Sequence, residues 1–190
     1  MLSVLWLVAS TLALPPALPA TVAPPPCVTM QTDRMPLATR RSPLDSVSFK
    51  VGNADVKVCY GRPSLRGRKA LGGDLVPYGQ LWRTGANEPT MIHTTAPITI
   101  AGVEVPAGSY SLYSVPGPQD WDVIVNRSIS QWGHESAYTD EVRAKEVGHG
   151  RVKSEALKTP VEQFTISNQG NTLLLDWENT RVKIPLTPKK

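Results

Sequence analysis

Histidine and cysteine are scarce in this chain, three and two among 190 residues, and that scarcity removes most ready-made chemistry. His93, His134 and His149 stand too far apart for a short ligand motif, so with Glu135 they leave only a metal site assembled from distant strands. No G-x-S-x-G sets a serine on a nucleophile elbow; Ser109, after Gly108, reads as the start of a strand. Cys59 lies in the run Val56-Lys57-Val58-Cys59-Tyr60, apolar enough to push a thiol away from its reactive thiolate. No glycine-rich turn leads from a strand into a helix, which excludes a nucleotide-type phosphate cradle. No catalytic residue, metal ligand or cofactor is therefore expected.

Excess charge and long apolar runs are also in short supply. The net charge is +4, and the cluster Arg62, Arg66, Arg68, Lys69 has only Tyr60 as an aromatic neighbour. Nucleic-acid binders carry a stronger basic stripe with interleaved aromatics, so no nucleic-acid partner is expected. A small anionic molecule or a cell-envelope polymer fits these charges better. The apolar run Leu2 to Leu14, followed by Leu18-Pro19-Ala20, is shorter than the ~20 residues that span a bilayer. Residues 1–20 read as a secretory signal peptide, with export to the periplasm or beyond and no stable membrane insertion after cleavage.

The proline-rich, aromatic-free stretch 21–41 reads as a flexible tether. It contains Cys27, which in an oxidising compartment can pair with Cys59 and add roughly 3–4 kcal/mol by the chain-entropy estimate. A free thiol and a lipid-anchored one stay open.

What is abundant is period-two alternation. Ser46 to Val51 and Ala54 to Tyr60 flank Gly52-Asn53, Ile98 to Ile100 and Val103 to Val105 flank Ala101-Gly102, and Ser109 to Val115 precedes Trp121 to Val125. These are three hairpin signals. Thr90 to Thr95 reads as a further strand, as do Val161 to Ser167, Thr172 to Trp177 and Thr180 to Leu186, the last two separated by Glu178-Asn179. Between Tyr138 and Val147 the pattern fits a short helix as well as a strand, with Val142 and Ala144 inward. Nine or ten short strands predict an all-β domain over residues 42–187. The expected fold is an antiparallel β-sandwich, jelly-roll-like or Ig-like, with Val56, Val58, Leu112, Ile124, Phe164 and Leu173 in the core.

One long loop interrupts this regularity. Gly61 to Glu88 packs five basic side chains and six glycines into 28 residues, and structureless connections beyond ~12–15 residues are uncommon unless functional or disordered. Its polar groups are expected to project from the rim of the sheet. Arg62 and Arg83 suit a carboxylate or phosphate, Lys69 adds charge, Asn87 and Glu88 suit hydroxyls, and Trp82 suits a flat face. These six residues are the candidate ligand site. The bland alternatives are a plugging role for Trp82, an internal Arg83–Glu88 pair and a turn-capping Asn87.

Taken together, GRPSLRGR, LVPYGQLWRTGANEPT, PAGSYSLYSVPG, NRSISQWG, PVEQFTI and DWENTRVKIP, in this order over about Ser42 to Pro185, resemble a bacterial exported family catalogued as domain of unknown function 2911. The resemblance implies export and supplies no activity or catalytic residue. It puts the Leu75 to Asn87 signature inside the loop singled out by length. Residues 141–159, with Gly148-His149-Gly150, look unlike the strand associated with the family there.

The residues point to a non-enzymatic exported module for a small anionic or polyhydroxylated ligand or an envelope polymer. Two alternatives stay open: a hydrolase of envelope carbohydrate using two of Glu88, Asp122 and Glu178, and a structural envelope protein whose loop covers a sheet edge. Oligomeric state is not legible.

Overall fold

The structure is a computed structural model that describes residues 24–189; the signal peptide read over residues 1–20 lies outside them. Nine strands make the body: β1 (Leu44–Val51), β2 (Ala54–Gly61), β3 (Thr90–Thr94), β4 (Ile98–Ile100), β5 (Val103–Val105), β6 (Gly108–Pro116), β7 (Asp120–Asn126), β8 (Glu146–Gln169) and β9 (Thr172–Pro188). They form one antiparallel sheet in the order β1-β2-β3-β6-β7-β8-β9-β4-β5. The only α-helix among the described residues is the single turn α1, Asp140–Arg143. The all-β expectation holds.

The hairpins follow from local chemistry. Val51 pairs with Ala54, leaving a two-residue turn in which Gly52 takes φ +59°, a conformation that costs a side-chain-bearing residue energy. β4 and β5 pair as expected, with Ile100 opposite Val103, but their outer partner is β9 rather than a neighbour in sequence.

The joint of the sheet is β8. Up to Lys153 it pairs with β7, and from Ser154 it pairs with β9. One core cluster then takes Val56, Ile92, Leu112 and Val123 from one half of the sheet and Ile98, Phe164, Leu173 and Ile184 from the other. This sharing of one interior by both halves is consistent with the sandwich. Each fully buried Val, Leu or Ile there contributes ~1.5–3 kcal/mol relative to exposure.

Strict alternation gives β6 and β7 a second buried face. Leu112, Val123 and Val125 point to the main core, while Tyr113 and Ile124 join Tyr138 and Val142 in a smaller cluster beneath α1. Ile124 is thus buried as expected, in the other core.

Two sequence expectations are corrected. Residues 146–153 belong to a strand, because Gly148 and Gly150 admit the β4–β5 hairpin: a Cβ on Gly148 would lie 3.1 Å from the Val103 side chain and one on Gly150 2.1 Å from the Ala101 carbonyl oxygen. The glycines that made the segment look irregular are what let it pair. Likewise Glu178-Asn179 does not end a strand; β9 runs through it with a register shift and φ +51° at Glu178. Between Tyr138 and Val147 the helix is realised, with Val142 buried and Ala144 exposed.

The proline-rich stretch is a strap from residue 27 to residue 41, fastened at both ends, rather than a free tether. Cys27 is disulfide-bonded to Cys59 on β2 with 5.7 Å between Cα atoms. At the other end the Arg40 side chain, 1% exposed, forks onto Glu88 at 2.7 and 3.0 Å.

Candidate functional site

The connection from β2 to β3, residues 62–89, contains no regular element but is bonded along its length. Leu65 donates its amide to the Glu162 carbonyl at 3.0 Å. The Glu178 carboxylate, turned inward by the bulge in β9, accepts the amides of Ala70 and Leu71 at 2.7 and 2.8 Å. Trp82 exchanges both backbone hydrogen bonds with Ser114 on β6 at 2.7 and 2.8 Å. Ala70, Leu71, Val76 and Trp82 are all buried in the main core. The loop is therefore welded to the sheet, because a buried backbone without strand partners must find them elsewhere.

Three non-glycine residues of the loop hold left-handed backbones: Arg66 at φ +53°, Thr84 at +55° and Asn87 at +65°. Thr84 is β-branched, for which this region is a true outlier. Its hydroxyl meets Ser114 Oγ at 2.9 Å and its carbonyl accepts from Thr90 Oγ1 at 2.6 Å, bonds that hold it there. Such strain persists where the surroundings over-determine it, often beside a binding site.

The structure divides the six candidates. Trp82, Arg83 and Asn87 line one cavity of about 310 Å³ beside Ser42, Arg68 and Glu135. Arg62 turns inward instead, paired with Asp45 at 3.1 Å and donating to Phe164 O and Thr165 Oγ1. Glu88, 6% exposed, is consumed by Arg40 and by the Met30 amide at 2.6 Å. Lys69 is exposed and lies outside the cavity lining. The internal pairing also differs from the one weighed on the sequence: Arg83 pairs with Glu135 at 3.2 Å, not with Glu88.

Trp82 is first a core residue. Its ring lies 5.3–5.9 Å from those of Trp121, Phe164 and Trp177, edge-on to the first two and stacked on the third. Only edges of Trp82 and Trp177 reach the cavity floor. Asn87 is tied by its side-chain amide to the Ser42 carbonyl at 2.9 Å. Arg83 lines the cavity with one terminal nitrogen on Glu135 and the other in a long contact to the Asn87 carbonyl.

On the sequence Glu135 enters only as a member of a dispersed metal-ligand set and not as a partner of the loop, although it lies two residues after the NRSISQWG segment. The glycine of that segment explains the approach: a Cβ on Gly133 would lie 2.2 Å from the Asn87 carbonyl and 2.9 Å from Arg83 Cδ. Glu135 also lines an adjoining cavity of about 250 Å³ with Asp74, Leu75 and Gln80. Behind the pair, burial pushes the Tyr113 phenol up, opposed by the hydrogen bond from Gln131 at 3.0 Å and by the Arg83 charge. It stays neutral and protonated beside the ion pair.

The three carboxylates weighed for hydrolysis do not share this place. Glu88 and Glu178 are occupied by the internal donors named above, and Asp122 lies within β7 between Val115 and Arg151. Among the described residues no group of three or more His, Cys, Asp or Glu side chains is arranged to hold a metal ion, and no helix is long and apolar enough to cross a membrane.

A family model described as "Protein of unknown function (DUF2911)" matches residues 42–186, well over half of the chain. The match spans β1, the whole loop and nearly all of β9. No curated protein and no solved structure matches the chain.

Proposed function

We propose, for a chain that belongs to the family described as a protein of unknown function (DUF2911), that the cleft under the β2–β3 loop binds a small polyhydroxylated or anionic ligand without transforming it. The observation that carries this reading is the convergence of Arg68, Arg83, Asn87 and Glu135 on one cavity of about 310 Å³ above the edges of two indoles. Few convergent polar groups over an apolar floor are the usual composition of a ligand pocket, and the volume sits at the small end of such pockets. Arg83 and Glu135 together offer donors and acceptors to hydroxyls, and Arg68, which has no carboxylate partner among the described residues, favours a negative substituent.

The same reading places the protein outside the cytoplasm. The Cys27–Cys59 disulfide supports an oxidising compartment, and an envelope-derived molecule is then the natural ligand source.

The test is ligand-observed NMR of the disulfide-intact chain against a panel of neutral monosaccharides, uronic acids and short-chain carboxylates. Binding by one class that disappears in Arg83→Ala and in Glu135→Gln, with melting temperatures unchanged, is the expected result. A panel without a binder, or an Arg83→Ala variant that binds like the parent, overturns the reading.

A further inference from the structure

The motif GRPSLRGR spends its arginines unequally. Arg62 is occupied by Asp45, Phe164 O and Thr165 Oγ1, but Arg66 and Arg68 stay exposed, and the strap brings Arg41 beside them. These three, with Ser42, Pro63 and Ser64, line an adjoining hollow of about 240 Å³ that has no acidic side chain in its lining among the described residues. The geometry points to this hollow as a binding site for a tetrahedral oxyanion, the phosphate or sulfate group of a small ester or a lipid headgroup.

The guanidinium groups of Arg66 and Arg68 are oriented by carbonyls rather than neutralised by carboxylates. Arg66 Nη2 donates to the Arg41 carbonyl at 3.0 Å, and Arg68 donates to the carbonyls of Leu65 and Ser64 at 2.9 and 3.1 Å. None of the three arginines is in an ion pair among the described residues. The nearby acid, Glu162, spends one carboxylate oxygen on the Arg66 amide at 2.8 Å and does not line the hollow. Three like charges gathered without counter-charge repel one another, and a bound anion removes that repulsion.

The turn that presents them is held in an unfavourable conformation. Arg66 and Gly67 adopt φ +53° and +75°, and the bonds from Leu65 and Arg66 to Glu162 secure the turn. On the opposite wall Arg41 is placed by Arg40, whose side chain is locked on Glu88. Arg66 and Arg68 are thus held on one segment, and a second segment brings Arg41 to the same hollow. A carboxylate has only two oxygens to offer; three planar donors and two serine hydroxyls match the larger acceptor set of phosphate or sulfate.

The hollow shares Ser42, Pro63 and Arg68 with the Arg83 cleft, but the proposal stands without any ligand in that cleft. The experiment is calorimetric titration of the disulfide-intact chain with inorganic phosphate and with sulfate at low ionic strength. Saturable binding is expected to weaken about tenfold or more in Arg66→Ala and in Arg68→Ala, the loss of a charged hydrogen-bonding partner. Arg83→Ala should bind phosphate like the parent, which separates this site from the cleft. If Arg68→Ala lowers the melting temperature, Arg41→Ala carries the test by the same criterion, because its side chain holds no other part of the fold. No saturable binding, or equal binding by parent, Arg66→Ala and Arg41→Ala, overturns the proposal. Cosedimentation with phosphatidylcholine vesicles containing phosphatidylglycerol, competed by phosphate, assigns a lipid headgroup; phosphate binding without cosedimentation assigns a soluble ester.

Discussion

The two connections without regular strands, residues 62–89 before β3 and residues 127–145 before β8, solve the same problem by different means. The first sends Leu71, Val76 and Trp82 into the main core and anchors its amides on Glu178. The second lies on the outer face of β6 and β7 and makes a small core of its own from Tyr138 and Val142 over Tyr113 and Ile124. Its polar groups are closed by a side-chain chain: Asn126 donates to Tyr138, Tyr138 to Glu146 at 2.6 Å, and Glu146 meets His149 at 2.8 Å. A segment built into the central core presents exposed cations rigidly, whereas one resting on a satellite cluster is the easier to open.

The largest effect that tests this contrast is Trp82→Ala. Emptying the centre of a four-ring cluster should remove about 3–5 kcal/mol, lowering the melting temperature by roughly 10 °C. A change of only a few tenths would show that the loop is not part of the core.

Glu88→Ala comes next. It strands Arg40, whose side chain is almost wholly buried, and breaking a buried pair from one side costs about 3–5 kcal/mol. Limited proteolysis should then cut within residues 28–41 while Cys27 remains bonded to Cys59. A variant as stable and as resistant as the parent would remove the fastening role of this pair.

In the second region Tyr138→Phe deletes one hydroxyl from the chain and leaves Glu146 Oε1 without its 2.6 Å donor. The expected loss is about 1–3 kcal/mol, with hydrogen exchange rising over residues 127–145 and not over 70–84. Equal acceleration in both regions would erase the difference between them.

The smallest effect lies away from both. Burial, and secondarily the Lys57 charge, hold the His93 imidazole below its ordinary pKa. The unfolded chain therefore takes up a proton near pH 6.5 that the folded one resists, so this stability is complete above that range and falls as pH drops through the folded value. His93→Gln should flatten that acid-side decline of melting temperature; an unchanged slope assigns the decline to other groups.

Much of the strand pattern was readable. Val56, Val58, Leu112, Phe164, Leu173 and Ile184 alternate and are buried, because the pleat repeats every two residues whatever the partner. The continuity of β8 and β9 was not, since Gly150 and Glu178 carry turn chemistry locally and are used in the sheet for close approach and a bulge. Of the candidate site, the signature around Arg83 was legible through its length and glycine content. Its partner Glu135 was not, being 52 residues away in a stretch with no periodicity.

Sequence alone determined the element type of most of this chain, its turns at Gly52 and Gly102, and the density of arginine in one loop. Tertiary structure alone decided which arginines are spent. Arg62 and Arg66 sit four residues apart in one motif, yet one meets Asp45 and the other, among the described residues, meets only the Arg41 carbonyl with its guanidinium. Backbone period is a local property of successive residues, whereas charge compensation depends on distances between side chains that folding brings together from far along the chain.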